Sequence, residues 1–505
     1  MALHLVGETI DRHRASAAAQ SGELIQLYRG IYVDASDDAE HRSQTRTVLV
    51  LLFLLMVVDY ADRQVMVAAF PYLRLEWGVS DVQLGALVSV VSVMVAAAAL
   101  PIAVAVDRWG RVRAVAVMAV VWSAATAACG FAGGYLSMLV ARLVVGLGQA
   151  SFGPAGSALL AAKFPADRRA TVLGVFQTGA PLGILVGGVG GSLAAAQWGW
   201  RAAFWMLALP GLVLAVLFLR VRDYPTVRPA RPGARAAVRA LTRAPSAIGA
   251  MVGGALLLVV LSTLYTWLPT FLQRSYGMAP VRAGVLGSVV VLAGAVGTAG
   301  GAVLADWAAR RDVRRRLVVP AAAGVASSAL LGTAFLAVPA GAAQLLLILA
   351  GGASVTAAVG PAAAVVLDVV QSGLRATAIS VFVLVQNLFG LAIGPVLAGA
   401  IADRWGLTSA LGAVAGLGVP AALALYSGSR AYGRDRNQAA SLPARGLPGG
   451  AAPRSGPTEP AGPLDGDGGD AGGWAITVGQ PPPSAEGRAD EGERVDWPGR
   501  GRQGG

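Results

Sequence analysis

The chain has 505 residues, of which 55% are hydrophobic and 13% charged, with a mean hydropathy of +0.62. Soluble domains carry about 25% charged residues, so this composition excludes a soluble globular protein and points to a bilayer. The formal charge of +12 does not mark a nucleic-acid-binding face, because the arginines fall in short groups between apolar runs, a pattern of membrane topology.

Residues 1–46 read as a poorly ordered tail with one hairpin-like piece, "GELIQLYRGIYVDA". Beyond it, a window of about 20 residues, the length that crosses roughly 30 Å of hydrocarbon, picks out twelve apolar segments. They cover 47–70, 82–106, 114–132, 135–160, 169–196, 201–220, 247–272, 282–305, 317–338, 341–367, 375–402 and 407–427. The first is too long for a signal h-region, so an uncleaved anchor is expected. Two six-helix halves follow, 47–220 and 247–427, joined by a Pro- and Arg-rich linker over 221–246 in which a short amphipathic helix suits an anionic leaflet. Residues 428–505 are rich in Gly, Pro and acid and read as a disordered tail. The single cysteine, Cys129, excludes an internal disulfide and any CxxC metal or redox motif, and neither metal nor cofactor is expected.

Every second loop is basic: Arg108, Arg111 and Arg113; Lys163, Arg168 and Arg169; Arg222 through Arg243; Arg310 through Arg316; and Arg375. That alternation places both termini in the cytoplasm. The halves also repeat each other: Pro154 matches Pro361 at an offset of 207, and Arg169 matches Arg375 at 206. Phe176 pairs likewise with Phe382 and Trp198 with Trp405. Two repeated six-helix halves joined by a linker mark a secondary transporter whose substrate site lies between them near the bilayer midplane.

The first segment breaks its own apolarity with "VVDYADRQVM". Asp59 and Asp62, three residues apart, project from one helix face. Charges at this depth are functional by default and face a cavity or one another. Arg63 offers Asp62 a neighbouring cation, and Arg142 in the fourth segment is a second one. All three histidines, His4, His13 and His41, precede the first segment, so a proton relay within the membrane has to use carboxylates.

"VDRWGRVR", Asp107 to Arg113, resembles the loop signature of the major facilitator superfamily, with Ala103 where that signature has glycine. The resemblance covers roughly residues 45–428. "DYADRQ", "WGVSDVQLG", "ARLVVGLGQASFGPA", "GGAVLADWAARRDVRRRLVVPA" and "QNLFGLAIGP" together are similar to the spinster-like branch. Organic anion:cation symporters share the first and fourth patterns. The resemblance implies an all-α fold of twelve transmembrane helices, in a multi-pass protein of the bacterial cytoplasmic membrane that is a functional monomer and not an enzyme. It implies proton coupling through Asp62, Arg63 and Arg142, to which Asp59 adds a second acid on the same face; the alternative is a neutralised network of the four that only fixes the first half. Gln149 stands where the branch commonly has glutamate, and Asp59 is a candidate to replace that lost acid.

The resemblance further implies a latch of Asp107 and Arg111 against the eleventh segment's amino terminus at Arg375, and a substrate cavity lined by Tyr60, Gln149, Gln177, Tyr265, Trp267, Gln386 and Asn387. That aromatic and amide set suits an amphiphilic or aromatic solute. Gly179, Gly183, Gly187 and Gly191 form a stripe for close helix approach, suited to sliding between the halves or to static packing. The leading reading is a proton-coupled exporter of such a solute. An organic-anion importer, a uniporter and a transporter-like membrane sensor are the alternatives.

Overall fold

The computed structural model describes residues 3–5, 24–28, 31–150, 152–165, 168–221, 234–371 and 374–441. Side chains at 100, 103–105, 107–109 and a few helix termini lie outside that description. So do linker residues 222–233, the tail beyond 441 and, with it, the whole of a separate unit at 447–505.

The hairpin-like piece near the amino terminus forms β2 (Leu24–Tyr28) and β3 (Ile31–Asp34), which with β1 (Leu3–Leu5) make an antiparallel sheet in the order β1-β3-β2. The first span, α1 (Ala35–Trp77), starts twelve residues ahead of the apolar run because its opening "ASDDAEHRSQTR" is polar but contains neither Gly nor Pro. At 1.5 Å per residue its 43 residues reach about 65 Å, so it projects well beyond the hydrocarbon. The first half continues with α2 (Asp81–Trp109), α3 (Arg111–Gly130), α4 (Tyr135–Gln149), α5 (Phe152–Lys163), α6 (Arg169–Trp198) and α7 (Trp200–Leu219). Helices α4 and α5 form one span interrupted at Ala150, whose ψ of 123° is extended.

The linker contributes α8 (Ala234–Arg243), with Ala237 and Leu241 buried and Arg235, Arg239 and Arg243 exposed. The second half comprises α9 (Pro245–Tyr276), α10 (Pro280–Ala309), α11 (Arg315–Leu336), α12 (Ala342–Thr356), α13 (Val359–Asp368), α14 (Arg375–Val385), α15 (Ile393–Trp405), α16 (Leu407–Ala415) and α17 (Gly418–Ser441). Between α14 and α15 the eleventh span passes through a π-helical turn, Gln386–Leu391, where Ala392 N–H donates to Asn387 O five residues back. Among the described residues eleven spans are long and apolar enough to cross a bilayer, and α1, carrying Asp59, Asp62 and Arg63 in its middle, is the twelfth.

Three corners are built alike. Trp109-Gly110, Trp198-Gly199 and Trp405-Gly406 each end one span and start the next, with glycine φ of 91°, 86° and 81°. A residue with a Cβ is strained there, so the repeated Trp-Gly pair encodes the turn. The glycine stripe of α6 faces α1: a side chain at Gly183 would meet the Val57 backbone, and one at Gly187 the Ala61 backbone. The stripe therefore serves packing inside the first half, not sliding between halves.

The halves touch elsewhere. Gly188 and Ser192 of α6 meet Gly284 and Ser288 of α10; Gly85 of α2 meets Pro395 of α15; and Phe70 packs on Trp267 with ring centroids 5.4 Å apart. These contacts gather toward the end of the bundle opposite the basic loops. One apolar cluster accordingly runs through both halves and includes Phe70, Leu87, Trp267 and Phe271. A second, around Trp122, Phe152, Phe176 and Phe218, stays within the first half.

Candidate transport site

Three spans of the first half converge on the charges of α1. Arg142 of α4 places Nη1 2.7 Å from Asp62 Oδ2, with both side chains only 1% exposed. Thr126 of α3 donates its hydroxyl to Asp62 Oδ1 at 2.7 Å, and Arg142 Nε reaches the Leu87 carbonyl of α2 at 3.4 Å. Both oxygens of Asp62 are thus occupied by buried donors. Removing one member of such a pair leaves a buried charge unmatched, at a cost of roughly 3–5 kcal/mol.

Arg63 turns the other way. Its Nη2 donates to Gln149 Oε1 at 3.2 Å and its guanidinium lies 5.3 Å from the centre of the Tyr60 ring, while Nε has no hydrogen-bond partner. Asp59, one helical turn before Arg63, is buried, and its Oδ1 has no hydrogen-bond partner either. It lies within electrostatic range of Arg63, Asp62 and Arg142. The arrangement thus separates a closed ion pair, Asp62 with Arg142, from Asp59 and Arg63, which lie one turn apart with no direct salt bridge between them. Asp62's partner is the distant Arg142 and not its sequence neighbour, since consecutive residues on a helix point about 100° apart.

The proposed cavity residues divide. Tyr60 and Gln149 sit with Arg63. Tyr265 joins Gln64, Ser192, Gln273 and Ser288 in a crevice between the halves. Trp267 is fully buried, with its indole N–H on the Pro395 carbonyl at 3.0 Å, so in this conformation it is packed and does not line a cavity. Gln386 is buried beside Gly254, Asn387 donates to Val383 O of its own helix at 2.9 Å, and Gln177 is exposed on α6. Of the latch residues, Asp107 has its side chain outside the described residues. Arg111 donates to Ala158 O within the first half at 3.4 Å, and Arg375 is exposed at the start of α14. Sequence reasoning missed Thr126 and Gln64: a lone threonine or amide in an apolar run carries no mark until helix rotation is known.

Residues 52–391 match the family model described as Major Facilitator Superfamily. The chain belongs to that superfamily. It is 28% identical over 395 residues to the hexuronate transporter of Bacillus subtilis, covering 75% of this chain and 93% of that one. It is 29% identical over 418 residues to an MFS-type efflux pump of Mycolicibacterium smegmatis, covering 76% and 92%. In structure it resembles a bacterial homologue of the human lysosomal transporter Spinster in an inward-facing, unoccupied conformation. The TM-score is 0.70 at 21% identity, over 78% of this chain and 98% of that one. As a member of the superfamily it is a multi-pass membrane transporter of a small molecule.

Proposed function

We propose that this transporter imports a small organic anion together with protons, by alternating access across the bacterial cytoplasmic membrane, with both termini inside. The observation that carries the reading is that, among the described residues, no carboxylate is bonded directly to Arg63. Asp62 and Arg142 cancel each other, whereas the hydrogen bond and ring contact of Arg63 are with the neutral Gln149 and Tyr60. A guanidinium in that setting is a ready partner for a carboxylate. A neutral amphiphile makes no use of it, so the organic-anion reading is favoured over export of an aromatic solute. The relative named for hexuronate, a carboxylate, favours the same class.

Coupling follows from the spacing. With Asp59 ionised, its charge balances Arg63 across one turn; an arriving carboxylate takes over that balance, and Asp59 then holds a proton. Anion and proton therefore load together. Moving one negative charge into a negative-inside cell costs about 2.3 kcal/mol per 100 mV, and a co-transported proton cancels that charge. Asp59 carries the exchangeable proton while the Asp62–Arg142 pair remains closed and fixes α1 against α3 and α4. With the basic loops inside, the contacts between halves lie on the outer side, and this conformation is inward-open. In the opposite state Asp107 and Arg111 meet the amino terminus of α14 near Arg375, where the helix dipole favours a carboxylate.

The test is uptake into proteoliposomes of known orientation, with D-glucuronate, galactarate and other small mono- and dicarboxylates as probes and D-glucose as the neutral control. An inside-alkaline gradient should drive accumulation of at least one carboxylate and not of glucose. Arg63→Gln should abolish binding, and Asp59→Asn should preserve exchange while stopping accumulation. Gradient-driven extrusion of an amphiphilic dye with no carboxylate transport would assign the protein to export instead.

A further inference from the structure

The strongest polar link between the halves lies far from the transport site, at the end opposite the basic loops. Asp81 is the first residue of α2 and is buried, with a side chain only 4% exposed. Arg274, near the end of α9 in the other half, grips it in a two-pronged fork: Nη1 to Oδ2 at 2.7 Å and Nη2 to Oδ1 at 2.7 Å. Arg74 of α1 adds a third contact to Oδ1 from the first half. A second carboxylate closes the same seam in the reverse direction. Asp403, near the end of α15, accepts the backbone N–H of Asp81 at 2.8 Å and of Val82 at 2.9 Å, which are otherwise unpaired amides of a helix start. Gly399 lets α15 approach closely here, since a side chain on it would meet the backbone of Asp81 and Val82.

We propose that Arg74, Asp81, Arg274 and Asp403 form the outer gate of this transporter, closed in the present conformation and broken each time the halves part on that side. Three features distinguish a gate from a permanent staple. The bonds cross between halves in both directions, acid of the first to base of the second and acid of the second to amides of the first. Each half carries one acid and one base, Arg74 with Asp81 and Arg274 with Asp403, so parting leaves both faces electrically balanced. The arginines are partly open to water, 47% and 34% exposed at the side chain, so their separation needs no charge to be desolvated. Charge-assisted forks of this kind are strong and directional, which gives the closed state one defined register. The inference rests on alternating access and on the orientation given above, but on neither the substrate nor the coupling ion.

Its test needs no substrate. Ser288 is buried between the halves beside Gly188 and serves as the reporter after Ser288→Cys in a background where Cys129 is replaced by serine. A membrane-impermeant maleimide is added to intact cells, and labelling is normalised to folded protein. Asp81→Asn, Arg274→Gln and Asp403→Asn should each raise outside labelling at least threefold. Asp81→Asn with Arg274→Gln should rise no further than the larger single change, because both remove the same bond, and Arg274→Lys should fall between wild type and Arg274→Gln. Unchanged labelling in all three single variants, or a fully additive double variant, overturns the gate. Since the readout is accessibility, it can fail while carboxylate uptake is found, and it can succeed while no carboxylate is carried.

Discussion

The two halves share an architecture but hold their charges at different depths. In the first half the ion pair lies mid-membrane, Asp62 with Arg142, fully buried. In the second half a charge cluster sits at the basic end instead, where Arg316 of α11 bridges Asp306 of α10 and Asp368 of α13 at 2.6 Å each, and Tyr432 of α17 donates to Asp368. Arg316 is 25% exposed there and Asp306 65%. Both clusters tie several spans together, yet only the deep one bears the desolvation cost of charge inside a membrane. Depth therefore separates two clusters that do the same mechanical work: the deep one is held away from water, and the shallow one has water to hand.

The comparison breaks most visibly if the deep pair proves dispensable. Arg142→Ala leaves Asp62 buried with Thr126 alone, and the expected loss is about 3–5 kcal/mol, read as a collapse of monodisperse protein on size-exclusion chromatography. Asp62→Asn with Arg142→Gln, which removes both charges, should recover much of the yield. Equal loss in the single and double variants would show that shape and not charge holds the site.

The shallow cluster should respond more mildly. Arg316→Gln gives up two partly solvated pairs, for which about 1 kcal/mol is expected, measured as a small fall in melting temperature with transport retained. A loss as large as that of Arg142→Ala would erase the distinction by depth. The smallest effect belongs to Glu76, at the carboxyl-terminal end of α1. Hydrogen bonds from Arg201 and Trp200 hold its carboxyl below the usual value of 4.5. A lowered carboxyl contributes stability at pH above its unfolded value, and that contribution is lost as pH falls below about 4.5 toward the lowered value. Because the pair is 40% and 38% exposed, screening keeps it under about 1 kcal/mol. Melting curves of wild type and Glu76→Gln should differ slightly at neutral pH and converge in acid; divergence in acid would reverse the sign.

Much of this was legible in the sequence, and for physical reasons. Twelve spans follow from the length of apolar runs, and the duplication follows from paired Pro154/Pro361, Arg169/Arg375 and Trp198/Trp405. The four charges Asp59, Asp62, Arg63 and Arg142 stood out because a bilayer makes charge rare. What stayed hidden depends on helix rotation and on neighbours distant in sequence. Thr126 is invisible until α3 is turned against α1, and the pairing of Asp62 with Arg142 in preference to Arg63 is a matter of azimuth. The cluster of Asp81, Arg274 and Asp403 is hidden because its acids sit at span ends, where an acid reads as ordinary solvated polarity. Trp267, by contrast, is a cavity candidate from its place in the seventh segment, but its indole N–H is spent on the Pro395 carbonyl.

The π-helical turn of the eleventh span has a consequence for how the duplication can be used. Arg375 and Phe382 follow their counterparts Arg169 and Phe176 at 206 residues, but Trp405 follows Trp198 at 207. One residue has therefore been gained between Phe382 and Trp405, and the turn over Gln386–Leu391 lies inside that interval. A π turn is how a helix absorbs a single inserted residue without breaking. The ancestral ruler is accordingly out of step by one notch, about 100° of azimuth, somewhere within the stretch that holds Gln386 and Asn387. Roles can be copied from α6 to its twin as far as Phe382, and again near Trp405 with the other offset. Between those marks the later copy has acquired an outlook its sibling lacks.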